Sequence, residues 1–320
     1  MAVIFMLLSV CLFGAYPFIA SLGGQTMAPG FIVSVTHLIA ASGIAIFFLA
    51  RFGWTRLQTA LKITDTVKFR HCMTLFAFDG LCNAFSNIFL ILAIVSYDKY
   101  TTSLIFDGWP MLSMVIIPLF LAKSYRLRVK DYIFSLVSFA GLAVVVSNSA
   151  QSAVGIKTMD STGLFLAFGA MFLMAISSMV NLKAEHLFVK SVSVERLAPK
   201  RIAIDIVSSS MANAISRLFS GSVSIAYFFF VDNTMSSTGS LDAYNVCLLV
   251  LFALIVTFGG IFYVVANIRS ASSGINLIWN LTPLVAVALL FSSGVGGAPG
   301  AEIFLGAILI VAANLAVSME

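Results

Sequence analysis

The sequence predicts an all-α integral membrane protein: ten transmembrane helices, built as two inverted five-helix repeats, with the N- and C-termini cytoplasmic. Three observations predict it. Of 320 residues, 60% are apolar and only 10% charged, and the mean hydropathy is +1.06, which leaves too little polar surface for a water-soluble domain of this size. The lysines and arginines alternate between the two sides of such a bundle. Finally, the second half of the chain echoes the first.

Apolar runs of spanning length fall at 2–20, 31–50, 74–95, 100–122 and 131–148, then at 162–182, 206–230, 245–267, 272–291 and 302–318. No basic residue precedes the first run, so it reads as a permanent span and not as a cleaved signal. At about 20 residues per crossing, these spans leave short connections and no room for a large soluble catalytic domain.

With the N-terminus inside, the cytoplasmic connections hold Arg51, Arg56, Lys62, Lys68 and Arg70, then Lys123, Arg126, Arg128 and Lys130. The later ones hold Lys183, Lys190, Arg196, Lys200 and Arg201, then Arg269. Only Lys99 and Lys157 fall outside, and Arg217 lies within a span. This arrangement fits a bacterial inner membrane or a eukaryotic organelle, and the compact loops favour the inner (plasma) membrane. The net charge of +5 is spread over separate loops, so no nucleic-acid surface is implied. Cys11, Cys82 and Cys247 sit in apolar runs and Cys72 in a basic segment, giving neither a disulfide framework nor metal spacing. After the second span, Trp54, Leu57, Leu61 and Val67 interleave with Arg56, Lys62 and Lys68. That pattern suits either a helix at an anionic membrane surface or a plain basic connector.

Ten spans divide into residues 1–150 and 151–320, and an odd repeat inserts its second copy inverted. His37, Leu38, Ser42 and Phe48 align over Arg217, Leu218, Ser222 and Phe228. Leu104, Ile105, Phe106, Asp107 and Pro110 align over Leu277, Ile278, Trp279, Asn280 and Pro283. Together with Phe13, Gly14, Ala15, Tyr16 and Pro17 in the first span, the segment from Pro118 to Arg126 and Gly141 in the fifth span, this pattern resembles the drug/metabolite transporter superfamily, specifically its EamA-type members. The resemblance covers nearly the whole chain. It implies secondary transport of a small metabolite or drug through a central cavity, with export the favoured direction. The sequence departs from the family where an acidic residue often follows the fourth span, since Lys123, Ser124, Tyr125 and Arg126 stand there.

Ionisable groups near the bilayer centre cost about 2.5–3.5 kcal/mol on insertion scales, so each needs a partner, water or a function. His37, Asp79, Asp107 and Arg217 qualify. Asp79, Asn83, Ser86 and Asn87 recur on one face of the third span, and Ser209, Asn213, Ser216, Arg217, Ser220 and Ser224 form a stripe on the seventh. Asp79, Asn83, Asp107 and Arg217, with Trp109, Trp279, Tyr263 and Asn280, make the candidate substrate-binding set. Acids beside aromatic faces favour organic cations, whereas the positive charge of Arg217 and His37 suits a zwitterion such as an amino acid. Alternatively, Asp107 and Arg217 pair with each other. Pro110 and Pro283 are candidate hinges, each freeing a carbonyl one turn earlier, at Phe106 and Trp279. Carboxyl and imidazole groups can take up and release protons, so Asp79, Asp107 and His37 are the candidates for a coupling proton. Gly14, Gly43, Gly221, Gly259, Gly260 and Gly306 are expected to let helices approach closely.

No phosphate-cradling loop, metal spacing or nucleophile constellation occurs, so the chain is expected to use no cofactor and not to be an enzyme. The expected partners are a small-molecule substrate and the lipid bilayer, with no nucleic acid and with a homodimer left open. The alternative function is a channel or lipid scramblase-like protein without coupled transport.

Overall fold

The computed structural model describes residues 2–109, 112–113, 161–192, 201–232, 242–269, 278–279, 281–294 and 300–318, with isolated positions between 133 and 144. Most of the expected fifth span, the 118–126 segment, the start of the ninth span, Pro110 and Asn280 lie outside the described residues.

Among the described residues the protein is all-α. The helices are α1 Ala2–Gly23, α2 Pro29–Phe52, α3 Trp54–Ala60, α4 Thr66–Ser96, α5 Lys99–Phe106, α6 Ser161–Ser191, α7 Arg201–Phe230, α8 Ala243–Arg269, α9 Thr282–Ser292 and α10 Ala301–Ser318. Among the described residues, five stretches are long and apolar enough to cross a membrane: α1, α2, α4, α6 and residues Ala243–Ala266 of α8. Large apolar side chains such as Phe47, Phe165, Phe230 and Ile308 face outward, while serines, asparagines and ionisable groups are buried. That inversion of the usual soluble pattern makes this an all-α membrane architecture.

The helices pack pairwise: α4 on α6, α2 on α7, and α1 on both α8 and α9. At one end, the connector before α4 meets the end of α6, where Thr64 donates its N–H and hydroxyl to the Ser191 carbonyl, each at 2.9 Å. Ile63 and Val192 form an isolated antiparallel bridge beside them. At the opposite end, the Gly30 N–H donates to Asp232 at 2.7 Å and the Thr26 hydroxyl to Asn245 at 2.8 Å. Arg51, Arg56, Lys62, Lys68, Arg70, Lys190 and Arg269 lie in or beside the segments of the first end, and Lys99 begins α5 at the other.

Several elements differ from the sequence expectation. α4 starts eight residues before 74 because Asp65 caps it, its side chain accepting from the Lys68 N–H at 3.0 Å. At 31 residues, α4 and α6 are each about 46 Å long at 1.5 Å per residue. They therefore project beyond a hydrocarbon layer of about 30 Å, and α6 absorbs residues 183–191 that read as loop. α3 is only one short helix. Leu57 and Ala60 are buried on the protein and Trp54 is exposed, while Val67 belongs to α4. The fourth span is interrupted: α5 ends at Phe106 and Asp107 caps it. Pro283 is not mid-helix. It occupies the first turn of α9, where a missing N–H costs nothing.

Close approach makes glycine obligatory at Gly80, where an added Cβ would stand 2.5 Å from the Phe219 Cβ and 2.8 Å from the Ser220 nitrogen. At Gly43, expected as a contact point, an added Cβ would meet nothing within 4 Å. It faces outward and serves no approach.

Candidate functional site

The polar face of α4 is buried where α4, α6, α7 and α2 converge. Asp79 receives three donors: Ser177 Oγ to Oδ1 at 2.5 Å, Ser216 Oγ to Oδ2 at 2.5 Å, and Asn181 Nδ2 to Oδ2 at 2.6 Å. These replace the water that a carboxylate, here 1% exposed, has lost.

Arg217 on α7 is held from three other helices. Its Nη1 donates to Asn83 Oδ1 at 2.7 Å and to His37 Nε2 at 3.1 Å, and its Nη2 reaches the Val256 carbonyl at 3.5 Å. From its own helix Asn213 accepts from Nε at 3.4 Å. A guanidinium has no acceptor, so His37 Nε2 carries no hydrogen. The imidazole is therefore the neutral Nδ1–H tautomer, and it donates to Ser220 Oγ at 2.7 Å.

Asn83 joins the two charged groups. Its Oδ1 also accepts from Asn87 Nδ2 at 2.9 Å, and its Nδ2 donates to Ser177 Oγ at 3.3 Å. Asn87 in turn accepts the Tyr16 hydroxyl. One hydrogen-bonded chain thus runs from α1 through α4 to α7 and α2.

Beside this network lies a cavity of about 700 Å³, its mouth included. Its lining includes the polar Asp79, Asn83, Asn181, Asn213 and Arg217 and the aromatic Phe13, Phe106, Trp109, Tyr263 and Trp279. The aromatic rings brace one another edge-on. Trp109 and Trp279 are 5.1 Å apart, Trp109 and Tyr263 5.5 Å, and Tyr263 and Trp279 4.9 Å, while Phe13 tilts against Trp279 at 4.9 Å.

Of the candidate residues, the structure thus brings Asp79, Asn83, Trp109, Arg217, Tyr263 and Trp279 together around one space. Asp107 is buried at 2% exposure but is not on the cavity wall, and its Oδ2 has no hydrogen-bond partner among the described residues. The alternative that it pairs with Arg217 is corrected, since among the described residues the one ion pair is Lys68–Asp65. His37 stands behind Arg217, off the wall. The Trp279 carbonyl, expected to be freed by Pro283, accepts the Thr282 hydroxyl at 2.5 Å. Two contributions escaped the sequence reading. Ser177 and Asn181, one helical turn apart within the apolar run of α6, carried a detectable signal. Phe13 and Phe106 are ordinary apolar residues and carried none.

No protein-family model matches the chain, and no curated protein does. Solved structures do share its fold. One, described only as "Crystal structure of protein", aligns with a TM-score of 0.68 at 14% identity, covering 99% of this chain and 96% of that one. At that identity the likeness extends to the fold alone.

Proposed function

We propose that this protein is a secondary transporter of the drug/metabolite transporter superfamily, of the EamA type, which exports a small metabolite or drug by alternating access. The observation that carries the reading is a cavity lined by both a charged, hydrogen-bonded cluster and an aromatic cluster, with residues from both halves of the chain. Such a chamber suits a small amphiphilic solute.

Packing supports the two inverted halves. If the first five spans exchange with the second five, the α1–α8 pair becomes the α6–α4 pair, and the α2–α7 pair maps onto itself. The close contact of His37 with Arg217, which match in the internal alignment, is what a pseudo-two-fold axis between α2 and α7 would produce. In this reading residues 1–150 and 151–320 rock about the cavity, both termini are cytoplasmic and the chain sits in the cell's inner membrane.

The test is transport in proteoliposomes. A carrier gives saturable uptake and accelerated counterflow when unlabelled substrate is loaded on the opposite side. Flux that rises without saturation, or lipid flipping without solute movement, would replace the carrier with a channel or scramblase.

A further inference from the structure

We infer that the cavity recognises its ligand by a carboxylate, so that it takes organic acids and amino acids with a planar or apolar body in preference to organic cations. This inference rests on the carrier reading and adds the substrate class to it.

It follows from which polar groups on the wall are already engaged. Asp79, the one acid among the described residues lining the cavity, already accepts three hydrogen bonds, two at one oxygen and one at the other. A carboxylate offers about four acceptor sites, so little is left for an ammonium group. The carboxamide oxygen of Asn83 is likewise taken by two donors. Among the described residues nothing donates to the Asn181 amide oxygen, but that group is neutral and attracts a cation weakly.

The donors are in the opposite condition. Nη2 of Arg217 carries two hydrogens and makes one long contact of 3.5 Å, to the Val256 carbonyl. Among the described residues, at least one hydrogen of this buried guanidinium therefore has no acceptor. Trp279 is 1% exposed, lines the same cavity, and its indole N–H has no hydrogen-bond partner among the described residues. Buried donors are nearly always satisfied, so two on residues that line one cavity indicate an acceptor supplied by something else. A carboxylate matches a guanidinium in charge and geometry and can also accept from an indole. The braced faces of Trp109 and Tyr263 then receive the rest of the molecule. An amino acid is tolerated through the oxygen of Asn181, whereas a plain amine would leave both donors unmet.

The experiment uses four ligands of one shape that differ in their polar group: phenylacetate, phenylalanine, phenethylamine and 2-phenylethanol. The chain has three tryptophans, and Trp54, 65% exposed on α3, is the one away from the cavity. Trp54→Phe protein in nanodiscs therefore reports cavity occupancy by tryptophan fluorescence. Phenylacetate and phenylalanine are expected to give saturable changes, with the amine and the alcohol at least about tenfold weaker. In the same background, Trp279→Phe keeps the ring and removes the N–H. It should weaken phenylacetate about three- to tenfold, read through Trp109, and leave the alcohol unchanged. Arg217→Gln should weaken both carboxylates by more than about tenfold, and the Trp279→Phe result stands where Arg217→Gln does not fold. Phenethylamine binding as tightly as phenylacetate, carboxylate binding indifferent to Trp279→Phe, or no binding by any of the four would each overturn the inference. Counterflow separates the two claims: saturable amine transport sinks carboxylate recognition and leaves the carrier, while binding without counterflow does the reverse.

Discussion

His37 and Arg217, 180 residues apart, share a hydrogen bond at 3.1 Å in which the arginine is the donor, and that bond fixes the histidine's tautomer. Protonation of Nε2 would set two donors against each other. His37 can accept a proton there only as Arg217 withdraws.

His37→Ala should therefore leave the guanidinium without one of its acceptors and destabilise the protein by about 1–3 kcal/mol. His37→Gln offers an amide oxygen and should recover part of the loss. Thermal unfolding in detergent compares the two, and equal melting temperatures for His37→Ala and the unaltered protein would remove the structural importance of this bond.

The three donors on Asp79 act on one group, so their removal should be more than additive. Ser177→Ala and Ser216→Ala are each expected to cost about 0.5–1.5 kcal/mol. The double variant should cost more than their sum, because the carboxylate then retains Asn181 alone. A double-mutant cycle with zero coupling energy would contradict the shared-site geometry.

Two glycines should respond with opposite sign. Gly80→Ala forces a methyl group against the Phe219 and Ser220 backbone and side-chain atoms and should destabilise by about 1–3 kcal/mol. Gly43→Ala meets open space in a helix and should be neutral or stabilising by up to about 1 kcal/mol. Denaturant or thermal midpoints of the pair give the answer directly.

Asp65, at the start of α4, lies outside the spans. The hydrogen bond and ion pair with Lys68, the latter at 2.8 Å, hold its carboxyl below the ordinary carboxylate range. Its capping contribution is thus complete above the usual carboxylate pKa and fades as pH falls through the lowered value. Amide exchange at Lys68 should show protection that is flat near neutrality and drops only in strong acid, and Asp65→Asn should lose that acid-range drop.

Hydropathy was sufficient for the membrane class and for the run of long helices, because burial in lipid imposes composition directly. The polar face of α4 was legible as well, since i, i+4 spacing is a property of the chain itself. The braced rings were less so: Trp109 and Trp279 stood out as rare residues, but Phe13 looked like any other lipid-compatible side chain. Helix ends escaped for a local reason, as a single cap at Asp65 added a further turn and more to α4. Asp107 was read as a cavity acid because it is an ionisable group within an apolar span, and it is not among the residues that line the cavity.

The Ile63–Val192 bridge, with Thr64 anchored on Ser191, clasps two segments that are 127 residues apart in the chain. The foot of α4 and the foot of α6 must consequently travel as one piece. Any swing that parts these two helices has to pivot at this clasp, with its greatest excursion at the far tips around Ser96 and Ser161.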